Sequence, residues 1–158
     1  MAEKPTLLIL AAGLGRRYGG VKQLEQVGPS GETLLDYAAF DALRAGFGRL
    51  VFVIRKSMRE QFAAQVGSRY LDKTEVSYAY QDADDLPEGF PFVEGRQRPW
   101  GTGHATWCAR GEIDGSFAVC NADDFYGPDA FQSLTSVGVP VLVLLPLPSC
   151  PNELVPQQ

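Results

Sequence analysis

One stretch constrains this chain more than any other: Leu7-Leu-Ile-Leu-Ala-Ala-Gly-Leu-Gly-Arg-Arg-Tyr-Gly-Gly-Val-Lys22. A short apolar run breaks abruptly into glycine, and Arg16, Arg17 and Lys22 follow at once. That order suits a buried strand delivering a loop to an anion. Gly13 and Gly15 lack a Cβ, so backbone N–H groups there can close on phosphate oxygens. A glycine turn that only joins a strand to a helix is the plainer alternative, and two basic side chains on the same loop weigh against it.

Two familiar phosphate loops do not fit. The dinucleotide fingerprint needs a glycine at the sixth position counted from Gly13, where Tyr18 stands. The P-loop needs Lys-Ser/Thr directly after its second glycine; Gly15 and Gly20 have the right gap, but Val21 precedes Lys22 and Gln23 follows it.

The chain has 158 residues, 45% apolar and 21% charged, which suits one globular domain. A net charge of −5 excludes a general nucleic-acid binder, so any anion site must be local. Cys108, Cys120 and Cys150 form no C-x-x-C pair, and the start Met-Ala-Glu-Lys-Pro has no signal-like segment. A reduced, cytoplasmic protein is expected. Val137 to Leu147 is apolar but far below about twenty residues and holds Pro140 and Pro146, so no membrane anchor is expected.

Thr6 to Ala11 reads as an inner strand. Thr33 can cap a helix carrying Leu34, Leu35, Ala38, Ala42 and Leu43, ended by Gly46. Leu50 to Ile54 is a second strand, and Ser57 with Glu60 predicts a capping box for a helix to about Val66. Val76 to Tyr80 is a third strand, ending at Gln81. The proline- and charge-rich stretch from Asp82 to Pro99 is expected to be a long loop, and such loops are usually functional. A short helix from about Thr102 to Ala109 and a fourth strand from Phe117 to Asn121 follow. Pro128 to Leu134 suits a last helix. The alternation predicts an α/β fold, a Rossmann-like, mainly parallel sheet with helices on both faces, and ligands bind beyond the carboxyl ends of such strands.

Two further stretches carry chemistry. In Gly95-Arg-Gln-Arg-Pro-Trp-Gly-Thr-Gly-His-Ala-Thr-Trp107, the small residues Gly101, Thr102 and Gly103 leave room for a flat base. Gln81 has an amide, which donates and accepts at once. His104, the only histidine, suits a hydrogen-bonding or packing role at a helix start better than catalysis. Trp100 and Trp107 read as core or cleft wall. In Phe117-Ala-Val-Cys-Asn-Ala-Asp-Asp124, an apolar strand ends in carboxylates at the mouth of the sheet. A carboxylate there can share Mg²⁺ with phosphate oxygens, while Asp124 is expected to cap the next helix.

Taken together, from Leu7 to Gly127, these stretches resemble the sugar-phosphate nucleotidyltransferases, or NDP-sugar pyrophosphorylases. That family opens with a strand, Ala-Ala-Gly-x-Gly, an Arg and then a Lys. Gly13, Gly15, Arg17 and Lys22 hold those positions, with Arg16 where many members have Thr and Val21 where many have Pro. The Gly-x-Gly-His-Ala form at Gly101 to Ala105 is similar to glucose-1-phosphate uridylyltransferases in particular. The resemblance implies a nucleotidyltransferase that moves a nucleoside monophosphate from a triphosphate, UTP favoured, to a sugar 1-phosphate with release of pyrophosphate. It implies Arg17 and Lys22 as catalytic cations, Ala11, Ala12, Gly13, Leu14, Gly15, Gln81, Gly101, Thr102 and Gly103 as nucleotide contacts, and Asp123 as the Mg²⁺ ligand. The expected partners are a nucleoside triphosphate and a sugar phosphate, with no nucleic acid and no membrane; homo-oligomerisation is left open.

The resemblance implies that residues 1–134 form the nucleotide-binding part of such a domain. Residues 135–158 are an apolar, proline-rich tail in which Glu153 is the only charged side chain, so no second metal ligand can be matched there, and the tail is expected to be truncated or atypical. A nucleotide-binding module without turnover, or a cytidylyl- or guanylyl-transferase with a non-sugar acceptor, are the alternatives.

Overall fold

The computed structural model describes residues 4–13, 25–96 and 99–136. In chain order the elements are β1 (Thr6–Leu10), α1 (Leu34–Arg44), β2 (Arg49–Ile54), α2 (Arg59–Gln65), β3 (Glu75–Tyr80), α3 (Thr102–Cys108), β4 (Phe117–Asn121) and α4 (Pro128–Ser136). The strands form a parallel sheet in the order β3-β2-β1-β4. This is the α/β architecture expected from the sequence, with helices on both faces of a parallel sheet.

Side-chain alternation along the inner strands explains why they are apolar after their first residues, Thr6 and Arg49. Leu7 and Ile9 of β1 and Leu50, Phe52 and Ile54 of β2 join the core that packs on α1, α2 and α4. Leu8, Val51 and Val53 point to the other face, where Ala105 and Ala109 pack. Both faces are covered, so polar residues are confined to the strand starts. Leu7, Leu8, Leu50 and Phe52 are fully buried, and each such side chain stabilises the fold by roughly 1.5–3 kcal/mol.

Thr33 caps α1 as expected and does so within a capping box, with Asp36 in the place usually held by Glu. The Asp36 carboxylate accepts from Thr33 N at 2.8 Å and Thr33 Oγ1 at 2.9 Å, and also from Arg69 and from the Tyr70 hydroxyl. These donors offset the cost of burying a carboxylate and tie the start of α1 to the turn after α2. Burial, together with the bond to Asp36, pushes the Tyr70 hydroxyl well above the usual phenol range. Gly46, at φ +102°, ends α1.

The capping box expected at Ser57 and Glu60 does not form. A 3₁₀ turn, Lys56–Met58, precedes α2, and Met58 at its start is αR and makes no side-chain cap bond. A capping side chain needs extended backbone at the cap, and the tight turn places Ser57 inside a helical segment instead. From Asp82 to Pro99 the described residues contain turns but no helix or strand, in keeping with the expected loop. No helix among the described residues is long and apolar enough to cross a membrane.

Candidate functional site

The chain runs from β1 outward to β2 and β3, then returns to set β4 on the opposite side of β1. The order therefore reverses between β1 and β4, and in open parallel sheets the ligand crevice lies at that reversal, beyond the carboxyl ends of the strands. Ala11, Arg55, Gln81 and Ala122 are the first residues past those ends. Ala11 N–H donates to Val53 O at 2.8 Å and Ala122 N–H to Leu10 O at 3.0 Å, so the ladder continues one residue past the strands. Ala11 and Ala12 are buried and Gly13 is exposed. Leu14, Gly15, Arg16, Arg17 and Lys22 lie outside the described residues.

Arg55, which the sequence reading did not single out, closes on the start of this loop. Its Nε donates to Ala12 O at 3.0 Å, fixing the carbonyl just ahead of Gly13. A cavity of about 310 Å³ is lined by Arg55, Lys56, Ser57, Gln81, Asp82 and Pro99 among others. Lys56 pairs with Asp82 at 3.1 Å, and that hydrogen bond raises its pKa. An arginine directly after an apolar strand was the available signal, and it has no motif spacing to single it out.

The end of β3 and the start of α3 are brought together by one side chain. Gln81 is buried, and its Nε2 donates to Gly101 O at 2.9 Å and approaches His104 Nδ1 at 3.2 Å. His104 Nε2 lies 2.5 Å from Asp85 O, and its ring stacks on Trp107 with centroids 6.0 Å apart. His104 thus has the hydrogen-bonding and packing role expected of it. Gly101 has φ +102° and ψ −175°, a conformation open essentially to glycine. A Cβ built at Gly101 or Gly103 meets nothing within 4 Å, and Gly101, Thr102 and Gly103 are all exposed. The Gln81 amide nitrogen is thus already bonded within the fold, to Gly101 O, with the His104 ring beside it.

Beside this turn, Leu86, Pro87, Phe90, Trp100, Gly103, His104 and Trp107 enclose an apolar cavity of about 300 Å³. Trp100 is held by a bond from its Nε1 to Ala83 O at 2.9 Å and by the Arg96 guanidinium 3.6 Å from its ring centre. Both tryptophans form cleft wall. Burial pushes the half-buried Cys108 thiol, at the end of α3, up to about 11.

The two carboxylates after β4 differ in exposure. Asp124 Oδ2 accepts from Asn121 Nδ2 at 2.8 Å and from the Tyr126 hydroxyl at 3.3 Å, and the Tyr126 oxygen accepts from Asn121 N at 2.9 Å. Asp124 therefore braces the turn. It does not cap α4, which begins four residues later at Pro128. Burial pushes the Tyr126 hydroxyl up to about 12. Asp123 stands exposed at the end of β4. Among the described residues no cluster of three or more His, Cys, Asp or Glu side chains could hold a metal by itself.

The MobA-like NTP transferase domain family matches residues 7–86, half of the chain. In fold the chain is similar to Rv0371c from Mycobacterium tuberculosis H37Rv, at 21% identity over 86% of this chain and 61% of that one, with a TM-score of 0.58. Rv0371c has also been solved in complex with manganese (20% identity, 87% of this chain and 61% of that one, TM-score 0.54). The chain is similar too to a UDP-glucose pyrophosphorylase complexed with UDP-glucose (22% identity, 85% and 53%, TM-score 0.57). A third is the inositol-1-phosphate CTP transferase from T. maritima (18% identity, 82% and 48%, TM-score 0.58). The chain spans about half to three-fifths of the length of these structures. No curated protein matches it in sequence.

Proposed function

The chain belongs to the MobA-like NTP transferase domain family, and from that membership we propose that it transfers a nucleoside monophosphate from a nucleoside triphosphate, UTP favoured, to a sugar 1-phosphate with release of pyrophosphate. What supports this reading is that Gly13, Gln81 and Asp123 each follow the carboxyl end of a strand, β1, β3 and β4, of one parallel sheet, with β1 and β4 flanking the reversal of strand order. In this reading residues 1–134 are the nucleotide-binding part.

Such a transfer asks little covalent chemistry of the protein. A sugar phosphate has a second pKa near ~6 and is ionised at neutral pH, so it attacks the α-phosphorus without a general base. The obstacle is electrostatic, since two anions must meet in line. Arg17 and the amides of Ala12 to Gly15 hold the β- and γ-phosphates, and Lys22 neutralises the α-phosphate and the incoming phosphate. Gln81, with the turn at Gly101, Thr102 and Gly103, takes the base, beside backbone from Ala11 and Ala12. A single exposed carboxylate suits a hard cation that completes its shell with phosphate oxygens and water. Asp123 would hold Mg²⁺ in that way, and the ion supplies charge neutralisation to the triphosphate when bound.

Pyrophosphate release, measured with UTP, CTP, GTP and ATP against a panel of sugar 1-phosphates, tests the proposal. Release that depends on both substrates supports it. Nucleotide binding with no release for any acceptor favours a binding module instead.

A further inference from the structure

His104 is given no part in the proposed transfer, yet among the described residues its ring is held by Asp85 O and Gln81 Nε2 through its two nitrogens, with Cys108 Sγ 3.4 Å from Nε2. Asp85 O can only accept, so the ring nitrogen 2.5 Å from it, Nε2, carries the proton. In a neutral ring Nδ1 is then an acceptor, and it lies 3.2 Å from Gln81 Nε2. The other hydrogen of that amide goes to Gly101 O at 2.9 Å. The reverse amide orientation would place Gln81 Oε1 against the Gly101 carbonyl and against His104 Nδ1, opposing an acceptor to an acceptor twice. Both donors of Gln81 are therefore committed, and what the side chain can offer to an arriving group is its carbonyl oxygen.

We propose that His104 is a positioning residue that fixes this orientation, so that the site takes bases with a ring N–H at the edge Gln81 meets, uracil and guanine, over cytosine and adenine. This rests on the reading of Gln81 as the base-contacting side chain. An oxygen acceptor pairs with the N3–H of uracil or the N1–H of guanine. Cytosine N3 and adenine N1 are themselves acceptors, so opposite the ring nitrogen the buried carbonyl is left unpaired, and it can reach the neighbouring amino group of either base only if the base shifts along its edge, which is how a polar site rejects a near-isostere. Uracil and cytosine have nearly the same shape, so the cavity alone separates them poorly. Gln81 is only 7% exposed, so water cannot readily satisfy the mismatch.

Calorimetric titration of UTP and CTP, with Mg²⁺, into the full chain and its variants tests this. The unmodified chain should prefer UTP by roughly tenfold or more, the loss expected when a hydrogen bond is left unmade. His104→Phe keeps a ring against Trp107 but removes the acceptor, and the UTP/CTP ratio should fall toward one. His104→Asn, whose side-chain oxygen can take the place of Nδ1, should retain a clear preference. His104→Ala, checked for folding by circular dichroism, should behave as His104→Phe does. An unchanged ratio in His104→Phe or His104→Ala, or equal UTP and CTP affinity in the unmodified chain, overturns the proposal while leaving nucleotide binding intact. Binding of neither nucleotide by the unmodified, folded chain overturns the nucleotide reading itself.

Discussion

Arg55 Nε donates to Ala12 O across 3.0 Å, so the end of β2 holds the backbone where β1 passes into the glycine loop. Ala12 is buried, and removing the guanidinium leaves a buried carbonyl without this donor. Arg55→Ala should destabilise the fold by about 1–3 kcal/mol in urea denaturation. It should also weaken nucleoside triphosphate binding, because the loop loses its fixed exit. Stability and affinity both within experimental error of the unmodified chain would show that this bond positions nothing.

The carboxylates after β4 should separate cleanly. Asp123→Asn should abolish the enhancement of nucleotide binding by Mg²⁺ while the chain keeps its folded circular dichroism spectrum. Asp124 accepts from Asn121 and Tyr126, so Asp124→Ala should cost about 1–3 kcal/mol of stability. The opposite pattern, with metal dependence lost only in the Asp124 variant, would move the ligand by one residue.

Most of the sheet was legible because β1, β2 and β4 are short, largely buried apolar runs; the fourth strand falls on the expected Phe117 to Asn121. The Ser57 box was misread because Ser-x-x-Glu spacing does not reveal whether the backbone at the cap is extended, and here it is a 3₁₀ turn. Asp124 was misread because its partners, Asn121 and Tyr126, are ordinary residues whose meeting depends on the turn. The engagement of both Gln81 donors depends on Gly101 O and His104, 20 and 23 residues away, which no local pattern encodes.

Gly101 offers a test of the turn itself. At φ +102° and ψ −175° an alanine is strained by about 1–3 kcal/mol even though the space around it is open. Gly101 O accepts from both Gln81 Nε2 and Ala105 N, so relaxation of the backbone would disturb both. Gly101→Ala should lower stability and reduce UTP affinity together, whereas Gly103→Ala, with negative φ and open space, should spare stability. Equal stability in the two variants would contradict the assigned strain.

Alkaline pH should destabilise the fold. Burial raises Cys108 to about 11 and Tyr126 to about 12, and raises Cys120 and Tyr70 further. In the unfolded chain thiols titrate near about 8.5 and phenols near about 10. Between those values and the folded ones the native state binds more protons, so stability falls as pH rises. This contribution is present in full below about pH 8.5 and is lost progressively toward pH 11 and above. The melting temperature should be level from pH 7 to 8 and decline from pH 9 to 11; a level or rising curve through pH 11 would contradict the assigned burial.

The central claim is that the strand ends around the β1–β4 reversal form a nucleoside triphosphate site built on the glycine loop. Calorimetric titration of UTP with Mg²⁺ into the unmodified chain and into Lys22→Ala tests it most directly. The account predicts saturable binding by the first and affinity weaker by about 1.5–3 kcal/mol in the second, the range for a hydrogen bond to a charged group. Equal dissociation constants in the two proteins, or no heat of binding in the folded, unmodified chain, would contradict it.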